Sequence, residues 1–397
     1  MKHLFKSILI LLFITFIILP AHAFTAKDLN IEVQQNGDAE FTFKYQLSWI
    51  EELAIHMGIV DLQSELKNAL EDNFNKPVNV IRAVSTEAQF KVHELASVKA
   101  ENEVVKYTTP SLSFSAAEKV LKDYWFAPLI STDFSPSITQ ITFPDGYTKE
   151  FYYQITIPKV EHTAEKYIHG IDVSQNQGII DWDQVKNAGF VFAYIRASWG
   201  DGRDPKSYRY TDDKFQIYIK EAKQNNLLVG PYHIAYPEPY ENDEQFLKEA
   251  EDEANQFLKI AGDYITDGYL RPALDIEPKN VEHLTKAHIS KWIHKWMSTI
   301  YAKTLVKPIL YYSSSIPADD SLGNYDLWVP YYPVPQTHSR EIPAQQPNIG
   351  IWTTWEFWQY SEEGKISGIQ GNNEGFVDLD LFNGNLNELK NKMVISK

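Results

Sequence analysis

The chain has 397 residues, of which 44% are hydrophobic and 14% aromatic, and this composition indicates a globular protein long enough for two domains. The absence of cysteine excludes disulfides, thiolate metal ligands and a cysteine nucleophile. The net charge of −16 argues against nucleic acid as a partner.

The N-terminus has the pattern of a secretory signal peptide at residues 1–23. Two lysines precede an apolar run at residues 8–19, and the small-residue pattern Ala21-His22-Ala23 follows it. The run is shorter than the ~20 residues that a membrane-spanning helix needs, which favours cleavage before Phe24 over retention as an anchor. We therefore predict a secreted protein, extracellular or periplasmic, with no stable membrane association after cleavage.

Residues 24–160 are predicted to form a small α+β domain. Alternation or apolar runs predict strands, helical spacing predicts a helix, and Pro144-Asp145-Gly146 predicts a hairpin turn. The strands are expected at residues 40–49, 78–84, 88–92, 138–143 and 150–157, and the helix at residues 51–74. Ser115, with Glu118 three residues later, has the pattern of a second helix start. No chemical constellation is visible here, so the role of this domain stays open.

A polar stretch near His162 separates this region from a second one with a different texture. Over residues 166–390, short apolar strands alternate with helices, which predicts a parallel sheet closed into a β/α barrel. The strands are expected at residues 170–173, 190–197, 228–235, 271–276, 308–313, 327–331, 354–360 and 377–382, and two of the helices at residues 243–261 and 285–303. The acidic cluster at residues 249–253 is expected to be an exposed helix face.

Four acidic residues fall on the predicted barrel strands: Asp172, Asp275, Glu277 and Asp378. Asp275 and Glu277 are two residues apart, so on an extended strand they point to the same side, with Cα atoms ~6.6 Å apart. Like charges in a partly desolvated cleft raise one pKa, which leaves one group as a proton donor while the other stays ionised. That division of labour is what glycosidic cleavage requires.

Tryptophans and tyrosines crowd the same strand ends and could supply stacking faces for sugar rings, although half or more of them should belong to the core. The histidines are dispersed, so neither a metal nor another cofactor is predicted.

Several motifs in sequence resemble the N-acetylmuramidase-type lysozymes of glycoside hydrolase family 25. The resemblance covers residues 168–385 and rests on His169-Gly170-Ile171-Asp172-Val173-Ser174, Gln177-Gly178, Ile180-Asp181-Trp182, Gly230-Pro231-Tyr232-His233, Pro272-Ala273-Leu274-Asp275-Ile276-Glu277, Trp358-Gln359-Tyr360-Ser361 and Val377-Asp378-Leu379-Asp380-Leu381-Phe382. It implies a flattened β/α barrel that hydrolyses the β-1,4 bond between N-acetylmuramic acid and N-acetylglucosamine in peptidoglycan.

The resemblance also implies roles for residues. Glu277 would protonate the leaving oxygen, and Asp275 would orient the substrate's own 2-acetamido group, the substrate-assisted exception to the two-carboxylate scheme. Asp172 and Asp378 match the family's other acids. The candidates for the sugar-binding floor are Tyr232, Tyr312, Trp328, Trp358 and Tyr360.

One departure stands at Ser198-Trp199-Gly200, where many members have Thr-Glu-Gly; we interpret it as an altered subsite contact. Two alternatives stay open: a chitinase-like hydrolase of N-acetylglucosamine polymers, and a barrel that binds glycan without cutting it. The sequence decides neither the oligomeric state, nor which wall is the target, nor which peptidoglycan modifications are tolerated.

Overall fold

The computed structural model of the chain describes residues 21–47, 63, 67–68, 70–71, 74–101, 104–113, 130–133, 135–200, 210–238, 242–370 and 375–397. The chain divides into two units, Met1–Ala164 and Glu165–Lys397. Each unit has hydrophobic clusters of its own, and the two are described separately below. Among the described residues, no helix is long and apolar enough to cross a membrane.

The first unit is built around a seven-stranded sheet with the strand order β10-β9-β1-β2-β4-β3, in which β8 also pairs with β1. In two smaller sheets, β6 pairs with both β5 and β12, and β7 pairs with β11. The strands are β1 Ala21–Val33, β2 Ala39–Gln46, β3 Val78–Val84, β4 Glu87–Val92, β5 Ser97–Glu101, β6 Val104–Thr108, β7 Leu112–Ser113, β8 Ile130–Asp133, β9 Ile138–Thr142, β10 Thr148–Phe151, β11 Thr156–Ile157 and β12 Glu161–Glu165.

Alternation of apolar and polar residues explains the main sheet. In β4 every second side chain is buried, and Phe90 of β4 stacks on Phe41 of β2 with ring centroids 4.7 Å apart. The predicted hairpin turn is confirmed: Gly146 has φ of 88°, a left-handed conformation that glycine adopts without steric cost, and β9 and β10 pair antiparallel around it. The strands predicted from this alternation are therefore present, apart from the differences below.

Three expectations for this unit differ from the structure or fall outside it. β1, Ala21–Val33, is a strand that sequence analysis did not predict. Its first three residues belong to the predicted signal peptide. The strand expected at residues 150–157 is interrupted and forms only the ends of β10 and β11. Residues 1–20, most of the predicted helix at 51–74 and the cap at Ser115 lie outside the described residues; those described between 63 and 74 are helical.

The second unit is a closed eight-stranded barrel, β13 to β20 in sequential order. Its strands are β13 Ile168–Val173, β14 Phe192–Trp199, β15 Leu228–Ile234, β16 Ala273–Ile276, β17 Ile309–Tyr312, β18 Leu327–Pro330, β19 Phe357–Gly364 and β20 Val377–Phe382. Its helices are α1 Trp182–Asn187, α2 Phe215–Gln224, α3 Asp243–Ala261, α4 Pro278–Val281, α5 Lys286–Thr304 and α6 Leu386–Met393, with short 3₁₀ turns at Gln175–Gln177, Gly262–Tyr264 and Asp320–Asn324. The predicted β/α barrel is confirmed.

Sequence analysis predicted a parallel barrel, but one strand of the barrel is antiparallel. β20 runs antiparallel to both of its neighbours, β19 and β13, whereas the other neighbouring strands are parallel. The described residues between β19 and β20 form no helix, and a parallel pair needs such a crossover, so the chain returns in the opposite direction. The beginning of β20 therefore lies at the same end of the barrel as the ends of the other strands.

Helix α3 has the predicted bounds, and its burial corrects one expectation. Asn242 caps it, and Phe246 and Phe257 are buried on the predicted apolar face. The acidic cluster on α3 is not wholly exposed, because Glu249 and Glu253 are 1% and 0% exposed. Each has a buried hydrogen-bond partner behind the barrel wall, which offsets the cost of burying a carboxylate.

Candidate active site

All four predicted acids lie at one end of the barrel. Asp172 lies near the end of β13, Asp275 lies in β16, and Glu277 follows β16 directly, before Pro278 begins α4. Asp378 faces Asp172 across the sheet, because β20 is antiparallel and begins at this end. The fold therefore brings together residues as far apart in the sequence as Asp172 and Asp378.

Asp275 is the buried member of the central pair. It is 7% exposed, and its Oδ1 has no hydrogen-bond partner among the described residues. Burial raises the pKa of Asp275 well above its usual range, and the neighbouring charges of Glu277 and Asp172 raise it further. Glu277 is half-buried, and its Oε2 lies 2.6 Å from the Lys279 ammonium. The Asp275 carboxyl therefore favours its protonated form in this structure.

Asp172 is the hydrogen-bond acceptor at the centre of a second group of carboxyls. The side-chain amide of Gln359 donates to its Oδ2 at 2.5 Å, and the Tyr232 hydroxyl donates to the same carboxylate. Burial raises the pKa of Asp172 to about 6, and these hydrogen bonds oppose the rise.

Asp378 and Asp380 complete this group. Burial, followed by the charge of Asp172, raises the pKa of both well above the usual range. Asp380 is fully buried and accepts a hydrogen bond from Trp328 Nε1 at 2.9 Å. Two ionised carboxylates cannot hydrogen-bond each other, so each contact with Asp172 needs a shared proton, and the raised pKa values of Asp378 and Asp380 favour its place on those two groups. Sequence analysis did not select Asp380, although its position two residues after Asp378 places it on the same face of the strand.

Arg196 is a charged residue of the site that sequence analysis missed. Its Nε donates to Asp212 Oδ2 at 2.9 Å, and its guanidinium lies 5.1 Å from the centre of the Trp199 ring. Its positive charge lowers the pKa of Asp275 and so opposes the effect of burial. Arg196 follows Tyr194 on the interior face of β14, so strand alternation was a signal that could have identified it.

A groove of about 500 Å³ opens beside Glu277. It is lined by Glu277, Pro278, Lys279, Tyr311, Ser313, Pro330, Tyr331 and Tyr332. The Tyr311 hydroxyl donates to Gln359 Oε1 at 2.7 Å, and Tyr332 donates to the same oxygen. Gln359 in turn donates to Asp172, so one hydrogen-bonded network connects the tyrosines of the groove with the buried acids.

The structure corrects most of the predicted sugar-binding floor. Tyr312, Trp358 and Tyr360 are at most 1% exposed and pack in the layer between the barrel wall and the helices. They lie on the opposite strand face from the acids, because adjacent residues of a strand alternate. Trp328 points into the barrel but is 1% exposed, and its role is to bind Asp380. Of the predicted set, Tyr232 contacts Asp172 and Trp328 contacts Asp380.

Within the described part of the chain, no group of three or more His, Asp or Glu side chains is arranged to hold a metal ion. The buried histidine His233 lies on the outer side of the barrel wall, where its ring contacts Ser198 and Glu253 and not the site.

Comparison with known proteins identifies the class of enzyme that this barrel and its carboxyls define. The family model described as glycosyl hydrolases family 25 matches residues 171–369. Lysozyme M1 of Streptomyces globisporus is 29% identical over 229 residues, which are 55% of this chain and 68% of that protein. An uncharacterized protein of Escherichia coli K12, YegX, is 28% identical over 253 residues, which are 62% of this chain and 78% of that protein.

Among solved structures, a bacterial lysozyme from Streptomyces coelicolor is 28% identical, with a TM-score of 0.45 over 56% of this chain and 94% of that one. The chain belongs to glycosyl hydrolase family 25 and is a glycoside hydrolase of the lysozyme type.

Proposed function

We propose that this protein is a secreted N-acetylmuramidase that hydrolyses the β-1,4 bond between N-acetylmuramic acid and N-acetylglucosamine in peptidoglycan. One observation supports this most strongly: Asp275 and Glu277 stand together at a strand end beside a groove with tyrosine walls. A groove of about 500 Å³ is large enough for sugar rings, and tyrosine faces offer them apolar contact. Membership of a lysozyme family supports the same substrate.

In the proposed mechanism Glu277 is the proton donor. It lies at the rim of the groove and is partly exposed, so it can reach the oxygen of the glycosidic bond. As the bond between that oxygen and the anomeric carbon breaks, Glu277 transfers its proton to the leaving oxygen. After the substrate's own acetamido oxygen has bonded to the anomeric carbon, water attacks that carbon, its bond to the acetamido oxygen breaks, and the Glu277 carboxylate removes a proton from the water.

Asp275 acts on the substrate's 2-acetamido group. Its buried Oδ1 has no hydrogen-bond partner among the described residues and can accept the acetamido N–H. That hydrogen bond, with the charge of Arg196, favours the ionised form of Asp275 once substrate is bound. The oriented acetamido oxygen attacks the anomeric carbon as the glycosidic bond breaks, before water enters, so no covalent bond to the enzyme is needed.

Loss of turbidity in purified cell walls, measured beside release of sugar from chitin oligomers, tests this function. A muramidase should clear walls and act poorly on chitin oligomers. Stronger action on the oligomers would favour a chitinase-like enzyme, and tight glycan binding without release of sugar would favour a binding barrel.

The secretion part of the proposal rests on the signal-peptide pattern of residues 1–23. N-terminal sequencing of the protein from the culture medium or periplasm should find Phe24 as its first residue. An uncut protein retained in the cytoplasm would contradict it.

A further inference from the structure

Lys279 is an exposed cation in a mainly acidic site. It follows Glu277 by two residues and lines the same groove. Its ammonium lies 2.6 Å from Glu277 Oε2, while its side chain remains 70% exposed. The pKa of Lys279 is raised by its hydrogen bond to Glu277 and by the charge of that carboxylate. It is therefore charged and free to reorient.

The ion pair between Lys279 and Glu277 is of a kind that exchanges easily. Exposed pairs contribute little to stability, because water and salt screen the charges and a long side chain loses freedom when it is held. A second anion in the groove can therefore compete with Glu277 for the ammonium. The ammonium would then no longer be held at the carboxylate of the proposed proton donor.

The proposed substrate supplies such an anion, whereas the alternative substrate does not. A muramoyl residue bears a lactyl ether at O3 that ends in a carboxylate, or in an attached peptide with carboxylates of its own. N-Acetylglucosamine polymers have neither. The chain has a net charge of −16, which repels an anionic substrate unless a local cation compensates at the point of contact.

We propose that Lys279 binds a carboxylate of the muramoyl residue and so selects peptidoglycan over neutral N-acetylglucosamine polymers. The inference rests on the proposed function. Lys279 is then a substrate-binding residue of the groove that Glu277 also lines. Its ion pair with Glu277 forms in the free enzyme and is replaced when substrate binds.

The test compares glycan strands that differ in one charge. Peptide-free strands with a free lactyl carboxylate, the same strands with that carboxylate converted to an amide, and strands with intact peptides are digested by the full-length protein. We expect this conversion to an amide, called capping below, to raise the KM of the wild type about tenfold, equivalent to about 1.4 kcal/mol, with little change in kcat. Lys279→Met should show equal KM values for capped and uncapped strands, and Lys279→Arg should keep most of the preference.

Lys220→Met, on the exposed face of α2, is the matched control for loss of one positive charge and should behave as the wild type. Dependence on Lys279 with peptide-free strands identifies the lactyl carboxylate as the source; dependence only with peptide-bearing strands identifies the peptide. A Lys279→Met enzyme that keeps the full preference overturns the inference, as does a wild type whose KM is unchanged by amidation of peptide-free strands and does not depend on Lys279 for peptide-bearing strands. A wild type that cleaves none of the strands would instead overturn the proposed function.

Discussion

At the scale of single residues, substitution of Asp275 tests the proposed mechanism. Asp275→Asn should lower turnover of substrates with a 2-acetamido group by a factor on the order of 10² or more, because the amide no longer stabilises the attacking acetamido group by charge. Mass spectrometry should find no glycosyl adduct on Asp275 or Glu277 in the wild type. A trapped adduct would show that a carboxylate is the nucleophile. Asp263→Asn, at the surface, is the control variant.

Asp380 should tolerate replacement by its neutral isostere. It is fully buried, accepts from Trp328 and contacts Asp172, an arrangement that requires a proton on Asp380. Asn offers the same acceptor to Trp328 and an N–H to Asp172, so Asp380→Asn should keep activity within about tenfold of the wild type. Asp380→Ala, which removes both contacts, should lose more. If Asn proves as damaging as Ala in the same assay, Asp380 is needed as an ionised group.

Sequence reasoning predicted that the acids lie together but not which aromatic residues face them, for a physical reason. Asp275 and Glu277 are two residues apart in one motif, so their proximity follows from strand geometry alone. The choice between Tyr311 and Tyr312 depends on register: Asp275 pairs with Tyr311, which faces the barrel interior, and the next residue faces the helices. Without that register, sequence analysis selected aromatic residues that face the helices instead of the barrel interior.

At the scale of elements, the barrel wall is attached to α3 by buried polar contacts. His233 of β15 lies 2.9 Å from the Ser198 hydroxyl of β14 and 3.3 Å from the Glu253 carboxylate of α3. Ser198 and His233 lie on the two strands that also position Arg196 and Tyr232 at the site. The contacts therefore fix the two strand ends from behind.

This network predicts a pH dependence of stability. Burial lowers the pKa of His233 to about 3, whereas an unfolded histidine titrates near 6.5. Between these values the unfolded chain binds the extra proton, so this contribution to stability is complete above about pH 6.5 and is lost as the pH falls towards 3. Denaturant unfolding of His233→Gln should show a shallower decline over this range, by up to about 1.4 kcal/mol per pH unit.

The comparison between variant and wild type is needed because other groups act oppositely. Asp172, with its pKa raised to about 6, contributes stability at low pH that is lost as the pH rises through 6. That contribution is common to both proteins and cancels in the difference. Identical slopes for the two proteins would show that His233 is not neutral in the folded state.

Strand positions in the barrel were predictable and strand direction was not. Each of the eight strands overlaps an apolar run in the sequence, because both faces of a barrel strand are buried. The direction of β20 depends on the connection that precedes it, for which the apolar pattern is no guide. That reversal brings Asp378 to the site.

At the scale of the whole molecule, the barrel unit should be autonomous. The unit Glu165–Lys397 has its own clusters of buried residues and includes all four proposed acids. A protein that starts at Lys166 should fold and hydrolyse soluble glycan fragments at a rate close to that of the full chain. On whole walls it should be slower if the first unit holds the enzyme at its substrate and raises the effective concentration. Insoluble or inactive protein would show that the two units share a core.

The identity of the reducing end released from purified peptidoglycan tests the central claim most directly. After digestion, borohydride reduction converts the new reducing-end sugar into its alcohol, which mass spectrometry identifies. We predict N-acetylmuramitol ends from the wild type, and 10²- to 10⁴-fold slower release, on the order expected for loss of a proton donor, from a folded Glu277→Gln variant. N-Acetylglucosaminitol ends, or undiminished release by Glu277→Gln, would contradict the account.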